Sequence, residues 1–259
     1  MVNILNENKN KIRFLLDSGA FTAWKAGKPI ALDDYCRFIE SLPFKPWRYF
    51  TLDVIGDPEA SFKNYETMLK RGFNPVPIFT RGEDLSMIDE YYKTSDVLGL
   101  GGLVGTKGNL GFVKGIMKHI GKRKVHWLGF VNQKFVNYYK PYMCDCSTWA
   151  SSVIYARMNL YIKNGKWINA TKKDFENSPS KEIRNVFKDY GIDINRLQKK
   201  EEWKNSGKGD CALEIVPCRS WVKYQLDLDR KMNVNFFLAC ASDMQVKLML
   251  DSYNYWMSK

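Results

Sequence analysis

Three aspartates stand at the ends of apolar runs, a setting in which carboxylates are uncommon. Asp17 lies in LLDSGAF, Asp53 in TLDVIGDP and Asp145 in MCDCSTW. Because an unpaired carboxylate is costly to bury, apolar strands rarely carry one without a function. A single aspartate of this kind more often caps a helix or braces a turn. Three of them at the ends of successive strands favour a shared polar pocket.

Paired carboxylates suit the cleavage of glycosidic bonds. One carboxylate attacks or stabilises the sugar C1′ as it becomes oxocarbenium-like, and the other moves protons on the leaving group or the incoming nucleophile. Burial and mutual repulsion raise the pKa of one member of such a pair, which suits an acid role near neutral pH. Three aspartates could also hold Mg²⁺, so a metal-dependent nuclease or phosphoesterase is an alternative.

The elements that must position these aspartates follow an alternating pattern. Short apolar runs alternate with amphipathic stretches six times, which indicates parallel strands wrapped by helices. Polar residues stand at the carboxyl ends of the strands, the catalytic face of a barrel. With 259 residues, the chain is predicted to be an α/β protein, a (β/α)8 TIM-like barrel. The predicted strands are 12–21, 48–56, 74–80, 96–105, 124–131 and 141–149, and the predicted helices are 32–42, 57–72, 85–95, 109–121 and 133–140.

The later part of the chain departs from this alternation. Residues 161–212 are rich in Lys and Asn and predict a late basic insertion of small helices and loops. This insertion is either a solvated excursion or a basic arm against a phosphate backbone, with Trp167 and Trp203 available for packing or stacking. A final strand is expected at 233–242 and an amphipathic helix at 243–256. We expect one domain spanning 1–259, because no repeat or linker interrupts the chain.

The composition points to a polyanionic partner. Lys and Arg number 40 against 28 Asp and Glu, a formal charge of +12. Cations that neutralise phosphates release counterions and so favour nucleic-acid binding, although membrane surfaces attract cations too. No apolar run reaches the length of a bilayer span and no signal-peptide pattern stands at the N-terminus, so a cytoplasmic protein is expected. Its six cysteines are then expected to be free thiols.

Five motifs together resemble a known enzyme family. DSGAF, LDV, LGLGGLVG, VHWLGF and CDCSTW resemble, in order, the motif series of the queuine/archaeosine tRNA-guanine transglycosylase superfamily, over roughly residues 13 to 150. The match is closer to the DNA-acting, phage-encoded 7-deazaguanine DNA transglycosylases. The resemblance implies a (β/α)8 barrel that exchanges a base through a covalent glycosyl-enzyme intermediate.

The resemblance also implies residue roles. Asp145 matches the nucleophile and Asp17 the general acid/base, with Ser18 in the turn that carries it. Further positions match groups that bind the base, and these are Asp53 at its Watson–Crick edge, Gly101 and Gly102 as a backbone wall, and Trp127 and Gly129 on the strand that covers it. Four aromatic residues are candidates to stack on the base or, alternatively, to pack in the core: Trp24, Tyr35, Trp127 and Trp149.

The chain departs from the family in ways that keep a second function open. Arg81 in IFTRGED stands where the tRNA enzymes place a base-reading glutamine, and a cation cannot both donate and accept hydrogen bonds. Ser147, Thr148 and Trp149 replace the usual Pro-Thr-Arg. The same barrel could therefore pass the sugar to water, as a DNA glycosylase that excises a modified base from phage DNA in antiviral defence and leaves an abasic site. Arg81 would then bind a decorated base.

The predicted partners follow from this chemistry. The substrate is DNA, either single-stranded or with the target base flipped out of the duplex, because C1′ is inaccessible inside the stack. A transglycosylase also takes a free 7-deazaguanine base. The sequence has no cluster of Cys and His with zinc spacing, and no metal, cofactor or membrane association is expected. The protein is expected to be a monomer or a homodimer. A non-catalytic basic DNA-binding barrel is the alternative from another class.

Overall fold

The structure is a computed structural model that describes residues 1–103, 109–176, 178–204 and 206–259. It is a mixed α/β protein with a central parallel sheet of five strands and many helices. The strands are β1 Leu15–Leu16, β2 Arg48–Tyr49, β3 Ile78–Phe79, β4 Val97–Leu100, β5 Lys124–Trp127, β6 Met143–Cys146, β7 Arg157–Tyr161, β8 Trp167–Thr171 and β9 Asn235–Leu238.

The described helices surround these strands in the chain order. They are α1 Val2–Glu7, α2 Ala20–Lys25, α3 Leu32–Ser41, α4 Pro58–Lys70, α5 Ser86–Thr94, α6 Asn109–Ile120, α7 Gln133–Tyr139, α8 Ser152–Tyr155, α9 Lys173–Glu176, α10 Lys181–Asp189, α11 Ala212–Met232 and α12 Asp243–Met257. Short 3₁₀ helices cover Thr148–Ser151, Ile194–Gln198 and Lys200–Trp203. None of the helices in the described ranges combines the length and the apolar character needed to cross a membrane.

The strands pair in the order in which most of them follow along the chain. The five-stranded sheet runs β3-β4-β5-β6-β9, and β1 pairs with β2 in parallel. An isolated parallel bridge between Phe50 and Val76 links these two sheets, since the Val76 amide donates to the Tyr49 carbonyl at 2.8 Å and the Thr51 amide donates to the Val76 carbonyl at 3.0 Å. The β1-β2 pair therefore continues the order of the larger sheet on the β3 side.

The prediction of parallel strands alternating with helices is confirmed up to β6. A full (β/α)8 barrel is not shown by the described residues. Between β6 and β9 the chain forms an antiparallel hairpin, β7 with β8, instead of another parallel strand with its helix. The predicted fourth strand ends early, at Leu100, and its last two residues, 104 and Gly105, lie outside the described residues.

Local signals in the sequence explain where the elements begin and end. In α4 the Asp57 side chain accepts a hydrogen bond from the Ala60 amide at 2.9 Å, and Pro58 occupies the first turn. Gly72 follows the helix with a φ of 84°, a conformation that glycine adopts without strain. The strand β4 is buried throughout, as expected for a parallel strand covered on both faces.

The chain divides into two compact units. The first unit comprises Val2–Val131 and Pro141–Cys144, and the second comprises Met1, Asn132–Lys140 and Asp145–Lys259. The division falls within β6, where no Pro-, Gly- or Ser-rich stretch marks a boundary in the sequence.

Each unit has its own hydrophobic cluster. In the first, buried side chains from β1, β2, α3 and α4 pack together, among them Leu16, Tyr35, Tyr49 and Met68. In the second, the β7-β8 hairpin packs with α10 and α11, through residues that include Leu160, Phe187, Leu213 and Val216. The first cluster lies directly beneath the segments that carry Asp17 and Asp53.

The predicted basic insertion is more ordered than its composition indicates. It contributes β8, α9 and α10 to the second unit, and the 21-residue helix α11 follows it, an element that the sequence pattern did not predict. Trp203 is buried and its indole N–H donates to the Leu197 carbonyl at 2.8 Å. The Trp167 ring lies 4.7 Å from that of Trp221, centroid to centroid. Both tryptophans therefore take the packing role rather than the stacking role.

Candidate functional site

Asp17 lies in a tight turn directly after β1. The Gly19 amide donates to the Asp17 carboxylate at 2.7 Å, and Gly19 has a φ of 76°, which favours glycine at this position. The carboxylate is exposed, whereas the neighbouring Ser18 is buried. The DSG sequence thus fixes the Asp17 carboxylate at the surface, at the point where α2 begins.

Asp53 lies in the loop after β2, beside this turn. The Ser18 hydroxyl donates to the Asp53 carboxylate at 3.3 Å. Because β1 and β2 are parallel neighbours, with Leu16 opposite Tyr49, both aspartates follow the carboxyl ends of their strands. The residues that the sequence singled out at Asp17, Ser18 and Asp53 are therefore brought together, and we call them the aspartate pair with its serine bridge.

The two carboxylates differ in their environment. Asp53 is half-buried, and this burial raises its pKa above the ordinary value for an aspartate. The negative charge of Asp17 raises the Asp53 pKa further, whereas hydrogen bonds from the Asp53 amide and from Ser18 oppose the shift. A raised pKa next to an exposed carboxylate is the arrangement that separates an acid from a base.

Tyr35 is a buried phenol that interacts electrostatically with both carboxylates. It projects from α3 and is 4% exposed, and its hydroxyl donates to the Phe50 carbonyl at 2.8 Å. Burial raises its pKa far above the usual value, and the charges of Asp17 and, more weakly, Asp53 add to this. Tyr35 therefore stays protonated and belongs to the core under the pair, which supports the packing alternative over stacking.

Of the four aromatic candidates, Trp24 is the one that is exposed. Its side chain is 53% exposed on α2, three turn residues and one helical turn after Asp17. The Trp24 ring stacks on Phe21 with centroids 6.0 Å apart, and the Lys25 ammonium lies 4.6 Å from the Phe21 ring centroid. An exposed aromatic pair with a cation therefore follows the Asp17 turn, and it offers a π-face of the kind on which bases stack.

Gly101 and Gly102 follow β4, as predicted, but for different reasons. A Cβ at Gly101 would lie 2.9 Å from the Ile78 side chain and 3.1 Å from the Thr80 side chain, so the neighbouring strand alone requires glycine there. Gly102 is exposed with a φ of 66°, and a Cβ on it would lie 3.6 Å from the Arg81 amide nitrogen. Gly102 and Arg81 are therefore neighbours.

Arg81 is held by a turn that the sequence reasoning did not single out. The Thr80 amide and hydroxyl donate to one Glu83 carboxylate oxygen at 2.6 and 2.9 Å, and the Tyr91 hydroxyl donates to the other at 3.1 Å. Burial raises the pKa of Glu83. The exposed Arg81 guanidinium lies 4.8 Å from the Phe112 ring centroid. The T-x-x-E spacing, a known bracing pattern at turns, was the available signal.

Trp127 and Gly129 lie at the end of β5. Trp127 is completely buried and pairs with Cys144 across β5 and β6, with its ring edge-on to Phe130 at 5.6 Å. Gly129 is exposed and has a φ of 61°. Trp127 therefore forms part of the sheet core, and Gly129 is the accessible position of the two.

Asp145 is the third residue of β6 and belongs to the second unit. It is half-buried, between the fully buried Cys144 and Cys146. Burial raises the pKa of the Cys146 thiol to about 12, so Cys146 is a neutral thiol at physiological pH. All six cysteines are free thiols, which confirms that prediction.

Trp149 also belongs to the second unit and connects two elements there. It is 4% exposed and its indole N–H donates to the Ala239 carbonyl at 2.8 Å. The Ala239 amide in turn donates to the Cys146 carbonyl at 3.0 Å. These bonds secure the end of β9 beside β6, so the packing alternative accounts for Trp149.

The described residues contain no group of three or more His, Cys, Asp or Glu arranged to hold a metal ion. Comparison with protein-family models, with curated proteins and with solved structures gives no match. The likeness to the transglycosylase superfamily therefore depends on the five motifs and their order.

Proposed function

We propose that this protein cleaves the N-glycosidic bond of a nucleobase in DNA, on a fold of the (β/α) barrel type, with Asp17 as general acid/base and Asp145 as nucleophile. The observation that carries the proposal is the aspartate pair with its serine bridge. An exposed carboxylate and a half-buried carboxylate of raised pKa lie at the carboxyl ends of adjacent parallel strands. Ligands bind at this end of the strands in α/β proteins.

The proposed chemistry assigns each group a balanced step. The Asp145 carboxylate forms a bond to C1′ as the bond from C1′ to the base nitrogen breaks, and the departing base takes a proton from Asp17. The acceptor then gives its proton to Asp17 and bonds to C1′ as the bond to Asp145 breaks. Asp53, with its raised pKa, binds the polar edge of the base.

The acceptor decides between two functions. Exchange for a free 7-deazaguanine is the function that the motifs imply, and hydrolysis to an abasic site is the second candidate. Arg81 favours the second, because the braced turn presents an exposed guanidinium next to Gly102. A guanidinium donates but does not accept hydrogen bonds, so it suits a base that carries an added acceptor group such as a carboxylate or phosphate.

One experiment tests the proposal and separates its two forms. The protein is incubated with unmodified and with hypermodified phage DNA, each with and without a free 7-deazaguanine base. Released base is measured by mass spectrometry and strand breaks are measured after alkali. Exchange releases base and leaves DNA stable to alkali, whereas hydrolysis leaves abasic sites that break.

The controls use matched aspartates. Asp17→Asn and Asp145→Asn are expected to lower base release by at least about 100-fold, the scale of general acid/base and nucleophilic catalysis. Asp57→Asn is the control, because asparagine caps a helix as well as aspartate does, and it should leave release unchanged. Release of no base from any DNA or tRNA would overturn both forms, and loss of release in a chelator would favour the metal-dependent alternative.

A further inference from the structure

A basic groove lies away from the proposed site. It is a cavity of about 400 Å³ formed by α1, residues 9–14 and residues 44–47. Four cationic side chains line it, and the lining contains no acidic residue: they are Lys9, Lys11, Arg13 and Lys45. Within the part of the chain that the structure describes, no carboxylate forms an ion pair with any of the three lysines. The groove thus concentrates positive charge that the fold does not neutralise.

The groove is at the opposite end of the strands from Asp17 and Asp53. Arg13 and Phe14 precede β1, and Lys45 and Trp47 precede β2, whereas the two aspartates follow these strands. Because β1 and β2 are parallel, their amino ends share one edge and their carboxyl ends share the other. The separation from Arg13 to Asp17 is about 13 Å along an extended strand, so the groove is distinct from the aspartate pair.

Aromatic rings give the groove a firm floor. Phe14 and Phe44 meet edge to face with centroids 5.6 Å apart, and the Arg13 guanidinium lies 5.4 Å from the Trp47 ring centroid. Arg48 also lies against Trp47, at 5.5 Å, but its charge is used in two hydrogen bonds to Asp96 at 2.9 and 3.0 Å. The indole therefore orients Arg13 at the groove, while Arg48 anchors the floor from below.

We propose that the basic groove binds the phosphates of a nucleic-acid strand. Lys9, Lys11 and Arg13 alternate along one wall and Lys45 comes from the other, so the cations follow the length of the groove instead of converging on one point. That distribution matches a chain of repeated phosphates better than a single phosphate ion. A concave groove suits a strand better than the plane of a bilayer, to which a convex or flat basic face would be matched.

This inference depends on the proposed function only for the kind of polyanion. The groove would hold a part of the DNA strand remote from the reacting base and so supply affinity without chemistry. Binding at a distance from the reacting bond is useful because phosphate contacts position the strand while other contacts select the base.

The test measures how binding depends on salt. The probe is a fluorescein-labelled oligothymidylate of 12 nucleotides, and its anisotropy is followed with the full-length protein from 20 to about 200 mM NaCl. Each phosphate contact to a single strand contributes about 0.7 to the slope of log affinity against log salt. Replacing three lysines, Lys9→Gln, Lys11→Gln and Lys45→Gln, should therefore make the slope shallower by about 2 and weaken binding at low salt at least 10-fold.

A second triple variant has the same change in net charge. Lys63→Gln, Lys114→Gln and Lys118→Gln remove exposed lysines of α4 and α6 and should change the slope by less than about 1. Replacing the three groove lysines by arginine should retain binding, and thermal melting checks that each variant is folded. Equal losses in the two glutamine triples would overturn the proposal, because binding would then follow the net charge alone.

Two further arms separate this inference from its rivals. Vesicles of phosphatidylserine and phosphatidylcholine that lose binding in the groove triple, while the oligonucleotide does not, would overturn it in favour of a membrane surface. If base is released normally but the groove triple binds DNA like wild type, the groove fails and the proposed function stands. If no base is released from any DNA but binding depends on the groove, the proposed function fails and the groove stands.

Discussion

Asp17 and Asp53 follow neighbouring parallel strands, yet their surroundings give them different properties. The Gly19 amide holds Asp17 at the surface, whereas Asp53 is half-buried and receives the Ser18 hydroxyl. Burial favours the neutral form of Asp53, and the charge of Asp17 adds to that preference. Ser18 therefore couples two carboxyl groups whose protonation differs, which is what an acid/base step beside a base-binding group requires.

The raised pKa of Asp53 makes a prediction about stability. A carboxyl whose pKa is higher in the folded than in the unfolded state stabilises the fold below the unfolded pKa, near 3.9, and this contribution is lost as pH rises through the folded pKa. Asp53→Asn removes the loss and keeps an acceptor for Ser18. The variant should therefore melt higher than wild type at pH 7, by about 2–4 °C for each kcal/mol.

The measurement is a pair of melting curves recorded from pH 3.5 to pH 7. The difference between Asp53→Asn and wild type should be smallest at the acidic end and grow toward neutral pH. Asp57→Asn is the matched control, since it exchanges one helix-capping residue for another. A difference that stays flat across this range would show that Asp53 does not titrate as its environment requires.

Individual site residues were predictable where a motif fixed a turn, and not where packing decides. Asp17, Ser18 and Asp53 were found because polar residues at strand ends are visible in the sequence, and the parallel pairing of β1 and β2 then brings them together. The depth of Trp127 and Tyr35 was not readable, since a tryptophan that packs and one that stacks look alike in one sequence. Glu83 was missed because its role depends on Thr80 and Tyr91 together.

At the scale of elements, α2 carries the next prediction. It begins three residues after Asp17 and displays Trp24, 53% exposed, against Phe21. Stacking of a base on an aromatic side chain contributes about 1–3 kcal/mol. Trp24→Ala should therefore raise the KM for DNA about 5- to 100-fold and leave the melting temperature within about 2 °C, because an exposed residue contributes little to the core.

The matched variant for α2 is Phe38→Ala on α3. Phe38 is 45% exposed, so its removal costs a similar exposed aromatic surface elsewhere in the same unit. It should leave KM unchanged. Equal changes in KM for the two variants would mean that Trp24 has no specific contact with the substrate.

The contact between β3 and β4 carries a stability prediction. A Cβ at Gly101 would come within 2.9 Å of Ile78, so Gly101→Ala should destabilise the protein by about 1–3 kcal/mol, the usual cost of overpacking. Gly115→Ala in α6 is the control, since a Cβ there meets nothing within 4 Å and alanine favours the helix by about 1 kcal/mol. Denaturation in urea should shift the two variants in opposite directions, and a neutral Gly101→Ala would show that β3 yields readily.

The elements after β6 show where pattern reading ends. Residues 12–149 have one strand signal for each helix signal, and the structure follows that alternation. The β7-β8 hairpin and α11 do not follow it, because their strands pair with each other and their helix packs on the hairpin. A charged composition hid the periodic apolar residues of α10 and α11, so the segment was predicted as small helices and loops although it carries a core of its own.

At the scale of the whole molecule, the formal charge of +12 is not spread evenly over what the structure describes. The basic groove has four cations and no acid in its lining, whereas other cations are neutralised, as Arg48 is by Asp96 and Arg123 by Asp89. Net charge alone predicted a polyanionic partner, but only the fold shows that Lys9, Lys11 and Lys45 lie around one cavity. The sequence separates Lys45 from the other lysines by a strand and two helices.

The role of Asp145 is a property of the whole reaction, and it has a test that depends on no assumed geometry. If Asp145 is the nucleophile, a covalent bond between DNA and protein forms whenever base has left and no acceptor has arrived. Acid quenching of the reaction without free base should then yield an adduct that survives denaturing gel electrophoresis, and peptide mass spectrometry should locate it in the segment containing MCDCSTW. Asp145→Asn should give no adduct. Adding a 7-deazaguanine base should remove the adduct if exchange is the function, whereas rapid turnover to abasic sites without added base is expected for hydrolysis. An adduct located on any other residue would transfer the nucleophilic role to that residue.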